Sequence, residues 1–383
     1  MVGEIHPGRA PRFTRIVTKP ASSNRSTSSG AVSGAVHGSE RLRIAVVAPP
    51  WFEIPPSGYG GIERVCFDLV EGLVDRGHDV TLVAAGTSRT RARFVAALPA
   101  PPPGLGTPEA PVQEVWYAAA VGRLLADAHV DVVHDHALAT PLTALRAAVP
   151  TIITAHGPTG GSIGEYFRAL GLPLVAISEA QWLAAPDLPW VGTVPNAIVV
   201  DDFRFEETKD AYALFLGRLS PEKGVHLAAA AARTAGVPFV IAGKCNEELE
   251  RAYFDEFVAP LLGPQTTWIR EIGGTLKTET LARARCLVVV PQWEEPFGLV
   301  AIEALASGTP VVALRRGALP EIVEHGHTGW LCDHVDELPD AIRRASEIDP
   351  HACRAAAVSR YDVARMVDGY ERIYRRVVTS RDA

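Results

Sequence analysis

The chain has 383 residues, long enough for two ordinary α/β domains. Hydrophobic residues make up 47% and charged residues 21%, which excludes a wholly disordered chain. With 37 basic against 44 acidic side chains, the net charge of −7 argues against nucleic acid as a partner.

No uncharged apolar run approaches the ~18 residues of a membrane-spanning helix. The first residues lack the apolar core of a secretory leader, so a cytoplasmic protein is expected. Cys66, Cys245, Cys286, Cys332 and Cys353 are odd in number and widely spaced. That pattern suits reduced thiols better than a disulfide frame.

Residues 1–40, with the serine-rich run from Ala21 to Gly30, show no hydrophobic periodicity. They are expected to form a disordered tail. From Leu42 to Ala48 a short apolar run rich in β-branched residues predicts a buried strand. Ile62, Val65, Cys66, Leu69, Val70, Leu73 and Val74 then follow helical spacing, and Gly77 stands where that helix would stop. Asp79 to Ala84 predicts a second strand, completing a βαβ unit.

Further strands are expected at Asp131–His134, Thr151–Thr154 and Leu174–Ile177, with the proline-rich stretch Pro99–Pro111 as a loop. A polar segment over residues 201–210 reads as a linker. A second series follows at Ala213–Leu216, Phe239–Ala242, Thr267–Ile269, Leu287–Val290 and Pro310–Ala313, and a helix is expected over Val363–Val378. The organisation is therefore a tail (1–40), an α/β domain (41–198), a second α/β domain (199–360) and a C-terminal helix (361–383). Ligand belongs in the crevice at the carboxyl ends of the two sets of parallel strands.

Three segments carry chemistry. Gly58-Tyr59-Gly60-Gly61 lies between the first strand and helix, where glycines let backbone N–H groups approach a phosphate. Glu63 stands where the dinucleotide fingerprint would need glycine, and Gly243-Lys244-Cys245 is no Walker loop. Next, Gly217-Arg218-Leu219-Ser220-Pro221-Glu222-Lys223-Gly224 follows the first strand of the second domain. It sets a guanidinium and an ammonium where a diphosphate can be held. Lysine is scarce, five of 37 basic residues, which singles out Lys223.

The richest segment runs from Glu294 to Glu303. Pro296 suits the start of a helix, and Gly298 allows close backbone approach. Glu295 and Glu303 bracket the free N–H groups of Phe297, Gly298, Leu299 and Val300. Carboxylates for sugar hydroxyls beside amides for phosphate are what a sugar-nucleotide site needs.

In combination these residues resemble the family 4 retaining glycosyltransferases of the GT-B fold, the "glycosyl transferases group 1" family, over about residues 42–378. The likeness is carried by Gly60-Gly61, His156 after Thr151-Ile152-Ile153-Thr154-Ala155, Arg218 with Lys223, and Glu295 to Glu303. Ala306-Ser307-Gly308-Thr309-Pro310-Val311-Val312 and Pro320-Glu321-Ile322-Val323 add to it. The resemblance implies two Rossmann-like domains facing a central cleft. It also implies retaining transfer from a nucleotide-diphosphate sugar to a glycan, lipid or small-molecule acceptor, with no metal and no other cofactor.

By the same resemblance Gly60 and Gly61 lie by the donor phosphate, and Arg218 and Lys223 neutralise the diphosphate. Glu295 binds the transferred sugar, Glu303 holds the ribose, and His156 lies beside the reacting centre. The motif supplies no third carboxylate for a double displacement.

Other readings compete. His134-Asp135-His136, with His156 nearby, offers imidazoles for zinc, although strand-end histidines also suit a substrate cleft. A sugar-nucleotide epimerase shares the two-lobed fold, and a non-enzymatic sugar-binding protein is a third possibility. Arg372, Arg375 and Arg376 read as a solvated helix face, with weak peripheral membrane contact as the alternative.

Overall fold

The computed structural model describes residues 41–145 and 149–380. The expected N-terminal tail lies outside the described residues. The first lobe holds β1 (Arg43–Val47), β2 (Asp79–Ala85), β3 (Arg93–Leu98), β4 (Val132–Asp135), β5 (Thr151–Thr154), β6 (Leu174–Ala176) and β7 (Trp190–Thr193). They form one parallel sheet in the order β3-β2-β1-β4-β5-β6-β7.

The second lobe holds β8 (Ala213–Leu216), β9 (Phe239–Ala242), β10 (Thr266–Trp268), β11 (Cys286–Val289), β12 (Val311–Leu314) and β13 (Gly329–Cys332). Its parallel order is β10-β9-β8-β11-β12-β13. Both sheets are covered by helices on both faces. In β1, Ile44 and Val46 enter one core cluster while Ala45 and Val47 enter another, as the two-residue period of a strand requires.

The structure has three strands that the sequence patterns did not indicate: β3, β7 and β13. All three are sheet edges. An edge strand has one open flank, so its residues need not form a continuous apolar run; β3 and β7 are mostly half-buried. The loop expected over Pro99–Pro111 ends earlier, because a helix spans Ala110–Leu125. Pro111 sits in its first turn, where a missing N–H leaves no hydrogen bond unmade.

All five cysteines are unbridged, and four of them are buried. No helix among the described residues is long and apolar enough to cross a membrane.

The chain ends by returning to the first lobe. The helix Pro350–Tyr361 packs on the second lobe against the helix Leu299–Ala306. Ile198 and the segment Tyr361–Val363 then exchange backbone bonds of 3.0 and 2.9 Å at the crossing. The last helix, Val363–Thr379, lies against the first, Gly61–Asp75, and buries Tyr370 and Tyr374 completely. Its basic residues are divided: Arg372 is exposed, whereas Arg376 donates to the carbonyl of Val191 at 3.0 Å and Arg375 faces Glu371.

Beneath this helix Tyr374 Oη lies 2.8 Å from His134 Nδ1, and Thr154 Oγ1 lies 2.7 Å from its Nε2. Removing one partner of a buried polar group leaves the other unpaired. Tyr374→Phe should therefore lower unfolding free energy by about 1–3 kcal/mol, read from urea denaturation.

Candidate functional site

The carboxyl ends of the two sheets enclose a cleft of about 850 Å³. Gly60, Gly61 and His156 line it from the first lobe. Arg218, Lys223, Glu295, Phe297, Gly298, Leu299, Val300 and Glu303 line it from the second. Residues predicted from three separated segments and one histidine thus meet in a single space, at the strand ends where parallel α/β sheets hold ligands.

The second lobe presents its acids and bases as pairs. Lys223 Nζ lies 3.0 and 2.7 Å from the two carboxylate oxygens of Glu295, and Trp293 Nε1 donates to Glu295 Oε2 at 2.9 Å. Lys223 also stands 5.1 Å from the centre of the Trp293 ring. Both glutamates are almost enclosed, each 8% exposed.

The loop holding Glu295 is fixed by its neighbour turn. Ala318 N–H donates to the Glu295 carbonyl at 2.9 Å, and Gly317 N–H donates to Glu294 Oε2 at 2.6 Å. Gly317 has φ 55°, and a Cβ there would lie 2.1 Å from the Glu295 carbonyl oxygen. Only glycine fits both conditions.

The helix begins at Leu299, with Gly298 at φ 108° as its N-cap. Pro296 therefore does not open the helix as its sequence position suggested. The left-handed turn at Gly298 delays the helix by three residues and leaves its first residues, Leu299 and Val300, lining the cleft.

Glu303 pairs with Lys277 at 2.6 Å, Arg218 with Glu222 at 2.8 Å and Lys244 with Glu247 at 2.6 Å. Lys277 and Lys244 also line the cleft. Neither was singled out from the sequence: Lys244 sits in a segment set aside as no Walker loop, and Lys277 lies in a helix with no motif around it, although the scarcity of lysine applies to both.

The histidines separate on inspection. His134 is wholly buried with both ring nitrogens engaged as above, so it neither reaches the cleft nor has a free ligand atom. This corrects its placement as a cleft residue; the C-terminal helix covers it. His136 Nδ1 lies 2.8 Å from His156 Nε2, and the outer nitrogens of the pair, His136 Nε2 and His156 Nδ1, are buried without a hydrogen-bond partner among the described residues. Burial lowers the His156 pKa to about 4, so its ring is neutral near pH 7. Among the described residues no three His, Cys, Asp or Glu side chains converge as a metal site.

A short segment after β6 ties the lobes together. Ser178 Oγ donates to the Pro296 carbonyl at 2.8 Å, next to Glu295. Gln181 Nε2 donates at 2.8 Å to the carbonyls of both Ala155 and Gly157, on either side of His156. Glu321 accepts the N–H groups of Glu179 and Ala180 at 3.0 and 2.7 Å. Nearer the glycine loop, Tyr59 N–H donates to Glu271 Oε1 at 2.7 Å.

Two further carboxyl groups line the first-lobe wall, Glu63 and Asp68, at 4% and 3% exposure. They add to the two glutamates of the motif. Asp68 is paired with Arg64 at 2.9 Å. Burial raises the Glu63 pKa to about 7 and outweighs the bond from its own backbone N–H.

Residues 200–360 match the family described as "Glycosyl transferases group 1", and residues 59–188 match "Glycosyltransferase Family 4". The chain is 26% identical to a phosphatidyl-myo-inositol mannosyltransferase of Mycolicibacterium smegmatis, covering 88% of this chain and 94% of that one. It is 29% identical to a D-inositol 3-phosphate glycosyltransferase of Mycobacterium bovis, covering 89% and 82%. A solved glycosyltransferase involved in avilamycin A biosynthesis superposes with a TM-score of 0.70 at 28% identity, covering 88% and 98%.

Glu63 gives a direct test of how dry this wall is. Its pKa is raised from 4.5 to about 7, so its stability contribution is whole below pH 4.5 and is lost as pH rises through 7. Glu63→Gln should then unfold at higher urea than the parent at pH 8, by up to about 3 kcal/mol. The gain should vanish near pH 4.5.

Proposed function

Since this chain belongs to the group 1 glycosyltransferases of the GT-B fold, we propose that it is a retaining, metal-independent enzyme. It moves a sugar from a nucleoside-diphosphate sugar to a hydroxyl of a glycan, lipid or small-molecule acceptor. The observation that carries this reading is the meeting of the Lys223–Glu295 and Lys277–Glu303 pairs at the helix that starts at Leu299.

In this reading each pair divides its labour. Arg218, Lys223 and the first amides of the Leu299–Ala306 helix face the diphosphate, supplying the charge that a metal supplies elsewhere. Glu295, held by Lys223 and Trp293, accepts from hydroxyls of the transferred sugar. Glu303 accepts from the ribose. Gly60 and Gly61 allow the first lobe to approach the phosphate closely. The neutral His156 lies beside the sugar near its anomeric carbon.

The acceptor attacks from the side the diphosphate leaves, and the departing phosphate takes its proton. The protein's share is positioning and charge stabilisation of an oxocarbenium-like state. Support for front-side attack comes from the state of the cleft carboxyl groups: Glu295 and Glu303 are each engaged by a lysine, Asp68 by Arg64, and burial raises the Glu63 pKa to about 7, so that it is a poor nucleophile.

Arg218→Ala and Lys223→Ala should each weaken binding of the cognate nucleoside diphosphate by about 1.5–3 kcal/mol in isothermal titration. Unchanged affinity in both variants contradicts the diphosphate assignment. Transfer from an α-linked donor should yield an α-glycoside by NMR and persist in excess EDTA. A β-glycoside, or a chelator effect reversed by Mg²⁺ or Mn²⁺, counts against retention or metal independence respectively.

A further inference from the structure

The two walls of the cleft differ in charge. Arg218, Lys223, Lys244 and Lys277 all come from the second lobe. Among the described residues, the only arginine or lysine lining the first-lobe wall is Arg64. It is already occupied, at 2.9 Å from Asp68 and 2.8 Å from Asp202. The buried carboxyl groups of Glu63 and Asp68 stand on the same wall.

The rest of that wall includes an apolar shelf of Trp51, Phe52 and Leu105. The indole N–H of Trp51 donates to Glu114 Oε1 at 2.8 Å, and Glu114 is 8% exposed. With its one polar atom consumed, Trp51 offers the cleft only ring surface. Phe52 meets Tyr59 edge to face at 6.0 Å. Leu105 belongs to the proline-rich loop, whose Gly106 abuts Glu247 of the opposite lobe. The loop thereby contributes to the cleft from both sides of the lobe boundary.

A phosphorylated acceptor on this wall would be desolvated beside the carboxyl groups of Glu63 and Asp68, with a single first-lobe arginine, shared between two aspartates, to offset its charge. We propose that the acceptor is an uncharged glycoside with an apolar or C–H-rich face, seated on Trp51, Phe52 and Leu105. This rests on the transferase reading. In the step it implies, the bond from the anomeric carbon to the donor phosphate breaks and one to the acceptor oxygen forms. The hydroxyl proton leaves on the nucleoside diphosphate, so charge and atoms balance.

Isothermal titration of the full chain in the presence of a nucleoside diphosphate tests this with two probes, 4-nitrophenyl β-D-glucoside and D-inositol 3-phosphate. The neutral glucoside should bind at least about tenfold more tightly than the phosphate. Trp51→Ala should weaken glucoside binding by up to about tenfold, while Trp51→Phe, which keeps a ring, retains most of it.

Equal or tighter binding of inositol phosphate overturns the proposal, as does failure of the glucoside to bind. Glucoside affinity unchanged in Trp51→Ala overturns it too. The comparison of the two probes on the parent chain stands even if Trp51→Ala does not fold. Separate titrations of UDP, GDP and ADP keep the two readings apart. Failure of all three refutes the transferase reading, whereas their binding alongside a preference for the phosphate refutes only the neutral acceptor.

Discussion

The contact on which the cleft depends is the hydrogen bond from Ser178 to the Pro296 carbonyl, together with the Gln181 bonds beside it. Two parallel sheets in separate lobes have no intrinsic reason to face each other at a fixed distance. Here one segment of six helical residues, capped by Ser178, reaches the backbone around His156 and the loop carrying Glu295. Glu321 holds the same segment from the second lobe. Because Ser178 and Gln181 are buried, each bond is made away from competing water and transmits position from one wall to the other.

Charge in the cleft is organised by the same economy of bonds. Lys223, Lys244, Lys277 and Arg218 each meet a glutamate, so none of these four cations stands unpaired in a partly dry space. Such pairs add little to stability once desolvation is counted. Their value lies in geometry: Glu295 is held in one orientation by a lysine and an indole. The first-lobe wall is built otherwise, with aromatic surface and carboxyl groups.

The return of the C-terminal helix explains the histidines. By covering β4 it removes His134 from the cleft and gives both its nitrogens partners, while His136 and His156 remain stacked at the strand ends with ring centres 5.1 Å apart. A triad that looked alike along the chain becomes one structural histidine, one supporting histidine and one that lines the cleft.

Much of this was legible without coordinates. Apolar β-branched runs marked the central strands, and the glycine loop, Arg218–Lys223 and the Glu295–Glu303 segment were picked out as segments that the fold brings to one cleft. These are local properties: a buried strand needs its run of apolar residues, and a phosphate needs glycines and bases a few positions apart. What tertiary structure alone decided involves partners distant in the chain. Lys277 finds Glu303 across 26 residues, Gln181 reaches Ala155 across 26, and Tyr374 reaches His134 across 240. No spacing encodes such pairs, because they form only when separate helices pack on their sheets. The half-buried edge strands β3 and β7 escaped for a related reason, since an open flank relaxes the demand for an apolar run that makes a central strand readable.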